Sequence, residues 1–477
     1  MGAGFSGIGM AATLLRAGYR DVTVLERRED VGGVWRDNTY PGAACDVPSH
    51  LYSFSFAPEG RWSKRFAEQP EILAYLRRVA DVEGVTPLVR FGAEVAGAEW
   101  DDEARTWTVR LASGEELVTD VLVTGVGQLS RPAYPDVEGL EDFEGTCFHS
   151  ARWDHAHDLT GEDVVVLGTG ASAIQFVPEV AKVARRVTVL QRTPSYVLHK
   201  PDHDYGPRAR RVLASHPLVL RADRLRNYLV TEARTLGFNV EPRLLAWHTR
   251  RFHRMLERQV PDPLLRERLT PTDQIGCRRI LQSDDWYPAL MRDNVELVTS
   301  PVRRVLPDGV ETADGRVHHA DAIVLGTGFT ATDLLAPMEI RGRDGLLADA
   351  WAKGAEAYRG TMVAGFPNLF VLYGPNTNLG HSSIVLMLES QFRFVREVLA
   401  LLPLGGPVRG SVEVRPEAQA RENAWLQEKL AGTVFATGCR SWYLTPDGRN
   451  TQNWPASTLR FRLRTRRPRR DDLEVRR

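Results

Sequence analysis

The chain has 477 residues, enough for two or three domains with ample core. Its 61 basic and 61 acidic side chains cancel, which removes any general electrostatic case for nucleic acid, and no apolar run approaches membrane-spanning length. Cys45, Cys147, Cys277 and Cys439 are widely spaced with no C-x-x-C, which argues against a disulfide framework, a structural zinc or a redox-active pair, so no metal is expected. No signal peptide is visible, and the default location is cytoplasmic. Nothing in the composition bears on oligomeric state.

In chain order, Gly2, Gly4 and Gly7 form a G-x-G-x-x-G turn, and a Val-Thr-Val-Leu strand at 22–25 ends on Glu26. A dinucleotide fold needs about five apolar residues before such a turn. None precedes Gly2, so the first β-strand of this unit is expected to be missing, as if the start had been assigned late. Residues 107–125 alternate as a hairpin leading into a buried strand, and 126–134, with Pro132, reads as an interdomain crossing.

The pattern then returns. Asp163–Leu167 is a short buried-type strand entering Gly168, Gly170 and Ala173, with a helix expected over 171–183. Val-Thr-Val-Leu recurs at 187–190, followed by Gln191 and Arg192. Residues 204–268 are arginine-rich and helix-patterned, with Leu218, Leu225, Leu229, Leu244 and Leu245 among charges, suggesting a helical insertion. Strands are expected at 295–299, 302–306 and 322–325, the last running into a second crossing at Gly326–Phe329. A polar loop at 374–383 feeds an amphipathic helix over 384–402, and the basic tail from Arg460 to Arg477 reads as a solvated end.

Glu26 and Arg192 both stand 22 residues beyond the middle glycine of their turns, Gly4 and Gly170. That offset lies beside the adenosine ribose, where an acid bonds free hydroxyls and an arginine accommodates a 2′-phosphate. The first site therefore reads as FAD and the second as NADPH. The expected fold is α/β, with two nested Rossmann-like dinucleotide-binding domains: 1–130 as the first part of the FAD domain, 131–325 as the NADPH domain with its insertion at 204–268, and 326–477 as the second part of the FAD domain.

Two further stretches carry a resemblance. Residues 32–46, GGVWRDNTYPGAACD, fit [A/G]-G-x-W-x(4)-[F/Y]-P-[G/M]-x(3)-D through Gly32, Gly33, Trp35, Tyr40, Pro41, Gly42 and Asp46. Residues 143–154, FEGTCFHSARWD, fit F-x-G-x(3)-H-x(3)-W-[P/D] through Phe143, Gly145, His149, Trp153 and Asp154. With the paired turns, the chain resembles type I Baeyer-Villiger monooxygenases along almost its whole length. The resemblance implies FAD, NADPH and O2 acting on a ketone, which becomes an ester or lactone through a C4a-peroxyflavin. Oxidation of sulfur or nitrogen is the alternative, and a flavin-binding protein made inactive by its short N-terminus is another.

The same resemblance implies site roles. Asp46 pairs with an active-site arginine, expected at Arg279 in Ile275-Gly-Cys-Arg-Arg279, where the family usually ends Lys-Arg and this chain has Arg278 and Arg279. Arg278 would join Arg192 and Thr193 around the 2′-phosphate. Trp35 and Tyr40 suit the wall of an isoalloxazine ring, though both are also ordinary core aromatics, and Gly33 and Tyr52 join the cofactor contacts. His149 and Trp153 are assigned a linking role, and Ser441-Trp442-Tyr443, Gly448-Arg449 and Trp454-Pro455 resemble a substrate-side segment.

Overall fold

The computed structural model describes residues 1–403, 410–439, 443–445 and 447–477. Its largest sheet is parallel, with strands in the order Val295–Val298, Arg186–Leu190, Asp163–Leu167, Ala322–Leu325, Thr146–His149. The runs DVVVL and AIVL are almost wholly buried, as strands covered on both faces must be. Ala173–Val183 lays Ile174, Phe176, Val177 and Val180 on one face of this sheet, starting two residues later than expected.

The first glycine turn opens the Phe5–Arg16 helix, which packs against Ile384–Leu399. Val24–Leu25 pairs in parallel with Val89–Arg90, and Leu122–Thr124 with Leu369–Val371. No strand is assigned at residues 1–4, yet their backbone lies between these pairs: the Gly2 amide donates to Leu25 at 2.8 Å and the Gly125 amide donates to Met1 at 2.8 Å. The expected hairpin is present as Thr106–Leu111 and Glu116–Thr119, with Val95–Asp101 alongside.

The two crossings run together. Ala133 donates to Gly328 at 2.9 Å and Thr330 donates to Arg131 at 3.1 Å. The expected insertion contains helices Pro207–Ser215, Pro217–Ala233, Ala246–Gln259 and Pro263–Arg268, with a π-turn at Leu236–Val240. Of the five leucines that signalled it, only Leu245 is buried. Among the described residues, no helix is long and apolar enough to cross a membrane.

Two expectations need correction. Cys277 and Cys439 form a disulfide despite their separation of 162 residues, because the fold brings their Cα atoms to 6.2 Å inside an apolar cluster with Phe238, Val434 and Phe435. Sequence spacing does not report such an approach. The tail, moreover, is not a solvated end. Thr458–Arg464 is a helix that buries Phe461, and Leu473–Arg476 pairs antiparallel with Ser411–Val414. Apolar residues spaced among the arginines anchor it, and Asp472 accepts from the Tyr358 hydroxyl at 2.8 Å.

Candidate active site

A cavity of about 2240 Å³ lies between the two glycine turns and reaches the loop at 378–382 and Tyr443. A pocket for one drug-sized ligand spans roughly 300–1,000 Å³, so this space admits more than one.

The first turn is tightly closed. Gly2 has a φ of +88°, and a methyl group on it would stand 2.7 Å from the Gly125 carbonyl oxygen. A methyl on Gly7 would overlap the Gly2 carbonyl. Gly33 lets its loop come within 3.1 Å of the Gly4 Cα, measured from where a side chain would begin. Glu26 is buried, and its carboxylate accepts the Ala3 amide at 2.7 Å and the Arg28 amide at 3.0 Å. Glu26 thus fastens its own turn.

The second turn repeats one contact and relaxes another. A methyl on Gly168 would meet the Gly326 carbonyl at 2.5 Å, the counterpart of Gly2 against Gly125. Ala173 takes the third glycine's place, fully buried, and Gly170 has open space before it, the nearest atom being 3.9 Å away. Arg192 is exposed and Thr193 half-buried, and both line the cavity. Arg278 also lines it, ion-paired to Asp273. Burial, followed by the nearby charge of Arg192, lowers the Arg278 pKa. The two arginines therefore share one electrostatic centre.

The Gly32–Asp46 stretch divides its aromatics. Trp35 donates from Nε1 to the Tyr52 hydroxyl at 3.1 Å, with the rings edge to face at 5.7 Å. Tyr40 turns the other way. Its hydroxyl bonds Gln175 Oε1 at 2.9 Å and its ring rests on Phe176, both on the Ala173–Val183 helix. Gly42, at φ +78°, allows the chain to pass where a methyl would stand 2.7 Å from the Gln175 carbonyl, and Gln175 Nε2 donates to Ala44 at 2.9 Å. Tyr40 therefore braces the loop across the two units, and it lines the cavity from that position.

This bracing delivers Asp46 to Arg279. The two form a hydrogen-bonded ion pair across 233 residues, and the exposed parts of both, 27% and 41%, open on the cavity. Burial pushes the Asp46 carboxyl up, but the charge and hydrogen bond of Arg279 outweigh it and hold its pKa below the ordinary value. The Asp46 charge in turn raises the Arg279 pKa. The result is a cation fixed in orientation by its ion pair, with part of its side chain exposed to the cavity.

Tyr373 and Tyr443 stand within the field of Arg279, and burial pushes the Tyr443 hydroxyl up to about 12. Tyr373 donates to Asn378 Oδ1 at 3.0 Å. Sequence reading missed Tyr373. Its signal was position: it stands two residues beyond Leu369–Val371 and just before the polar loop at 374–383, and in the structure its φ is +54°, uncommon for a large side chain. In the 374–383 loop, Ser383 caps the following helix by accepting from Val385 at 3.3 Å.

His149 is buried, with its ring between Tyr134 and Phe329, one from each crossing. Its Nδ1 accepts the Ala151 amide at 3.0 Å, and burial lowers its pKa to about 4. Trp153 packs edge to face on Phe148 at 5.0 Å and against Phe176 at 5.5 Å. Of the C-terminal motifs, only Tyr443 among the described residues reaches the cavity. Arg449 pairs with Glu356 and Trp454 packs on Phe461, while Ser441 and Trp442 lie outside the described residues.

The pyridine nucleotide-disulphide oxidoreductase family matches residues 1–215. A Baeyer-Villiger monooxygenase of Pseudomonas aeruginosa is 45% identical over 469 residues, 98% of this chain and 89% of that protein. Among solved structures, an oxidized steroid monooxygenase bound to NADP superposes with a TM-score of 0.87 at 31% identity, covering 99% of this chain and 98% of the other. OTEMO in complex with FAD and NADP gives 0.88 at 28% identity with the same coverage.

Proposed function

The chain belongs to the Baeyer-Villiger monooxygenase family, and from that premise we propose that it inserts one oxygen atom of O2 into a ketone at the expense of NADPH. Ketone, O2, NADPH and a proton give an ester or lactone, NADP+ and water. FAD, when bound, takes the hydride and activates the oxygen.

The residues fit both dinucleotides. At the first turn, Gly2, Gly4, Gly7 and Gly33 leave a cradle that side chains would fill, and the unused lone pairs of Glu26 suit ribose hydroxyls. Trp35 and Tyr52 supply a joined aromatic wall beside it. At the second, Gly168, Gly170 and Ala173 open onto NADPH, and the Arg192–Arg278 centre, with Thr193, takes the 2′-phosphate. The Asp46–Arg279 pair carries the assignment. Arg279 keeps a positive charge where negative charge develops on oxygen in the transition state, and Asp46 fixes its orientation. Tyr40 is a positioning residue, because it ties the Asp46 loop to the helix of the second turn.

The domain reading follows. Residues 1–130 and 326–477 form the FAD domain and 131–325, with its helices at 204–268, the NADPH domain nested within it. Support comes from the pairing of Leu122–Thr124 with Leu369–Val371 and from the adjacent crossings that bracket His149. His149 and Trp153 would hold the two domains in register.

The test is a panel of ketones with NADPH and ¹⁸O2 on the purified holoenzyme. An ester or lactone carrying one heavy oxygen, formed one for one with NADPH consumed, is expected. Sulfoxides or N-oxides from parallel substrates with no ester from any ketone would contradict the reading.

A further inference from the structure

Arg234 is a cation in the cavity that neither nucleotide turn accounts for. It follows the Pro217–Ala233 helix, and its carbonyl accepts the amides of Gly237 at 3.0 Å and Phe238 at 3.2 Å, which pins its backbone. Thr231, Arg234 and Phe238 recur at spacings of three and four and line the same wall. That wall belongs to the end of the cavity nearest Arg279. The Thr231 hydroxyl lies 3.2 Å from that of Ser382, Phe238 shares its cluster with Tyr443, and Arg234 stands in the field of Asp46.

His248 and Arg251, from the Ala246–Gln259 helix, line the cavity beside it, and both charges act on His248. Asp46 is already bonded to Arg279, and among the described residues the Arg234 guanidinium has no ion pair and no hydrogen bond. The phosphate centre is a separate pair, with Arg278 in the field of Arg192. Burial, then the charge of Arg65, lowers the Arg234 pKa, with Asp46 opposing. Arg234 and Arg251 are exposed and His248 is half-buried, so the Arg234 guanidinium faces the cavity open to an anion.

We propose that Arg234, flanked by His248 and Arg251, docks a carboxylate on the ketone, so that the substrates of this enzyme are keto acids. This assignment rests on the ketone-oxygenation reading above. The guanidinium fork suits a carboxylate bidentately, and Arg279 remains free for the reacting oxygens. Arg234 is a specificity-determining residue here and takes no part in the chemistry.

The test compares a keto acid with its methyl ester in the holoenzyme at saturating NADPH, reading kcat/KM from the oxygenated product. The wild type should favour the acid by about 10- to 100-fold, the size of one charge-assisted contact. Arg234→Leu should bring the ratio near one by raising KM for the acid, and Arg234→Lys should restore part of it. A wild-type ratio near one, an equal loss on both compounds, or a rise confined to the KM for NADPH would each overturn the proposal. Calorimetry of acid and ester binding to the oxidised, NADP+-loaded enzyme separates the two layers of inference. If no ketone is turned over, the functional reading fails. Tighter binding of the acid, lost in Arg234→Leu, still supports the anion site, and equal binding overturns it.

Discussion

At the first glycine turn a methyl on Gly7 would overlap a carbonyl, whereas the second turn carries Ala173 in the equivalent place without conflict. The first is also fastened by a carboxylate, since Glu26 accepts the Ala3 and Arg28 amides. The second ends in an exposed Arg192, facing the cavity and a second arginine. One backbone pattern has thus been finished as a closed cradle and as an open one. A closed cradle suits a dinucleotide that stays bound through many turnovers, and an open one suits a dinucleotide that must leave oxidised.

The contrast breaks most visibly at Gly7. Gly7→Ala should abolish copurifying FAD, read from the flavin absorbance of the purified protein, because the conflict is with backbone rather than a movable side chain. Ala173→Gly should retain NADPH-driven flavin reduction, losing only the roughly 1 kcal/mol that glycine costs in a helix. If both variants lose FAD alike, the two turns do not differ as described.

Next in size is the phosphate. Arg192→Ala should raise the KM for NADPH by about 10- to 150-fold and leave that for NADH nearly unchanged, the range expected for a charge-assisted hydrogen bond. Arg278→Ala should cost less, because Arg278 already spends one edge on Asp273. A larger effect at Arg278 would place the phosphate nearer the Asp273 side.

The joint between the regions gives a smaller, pH-dependent effect. His149 is neutral in the folded state down to about pH 4, whereas an unfolded histidine protonates near 6.5. The unfolded state therefore binds more protons between those values, and the stability due to neutral His149 is lost as pH falls from about 6.5 to 4. His149→Asn should flatten the slope of denaturation midpoint against pH in that window, and an unchanged slope would remove His149 as its source. The smallest readout is a thiol count. Without reductant the denatured protein should titrate two thiols, Cys45 and Cys147, and four after reduction.

Much of this was legible in the sequence because it is local. The turns, the strands leading into them and the hairpin all depend on neighbours in the chain, and so do the offsets of Glu26 and Arg192. The expectations that needed revision depend on distant partners. Cys277 meets Cys439 only because the insertion and the C-terminal segment fold onto one apolar cluster. Asp46 meets Arg279 across 233 residues, a partnership that no local spacing reports. Leu473 and Val475 look like incidental apolar residues in a basic tail until Ser411–Val414 offers them a strand. Arg234 carried no signal in a chain rich in arginine, since what sets it apart is its place in the cavity wall, within the field of Asp46.

The central claim is that the Asp46–Arg279 pair, held between the closed and the open cradle, makes ester formation possible. Arg279→Ala should still bind FAD and be bleached by NADPH without oxygen, while ester formation falls by about 10² to 10³, or roughly 3–4 kcal/mol. Ester formation at the wild-type rate by that variant, with intact flavin reduction, would contradict the account.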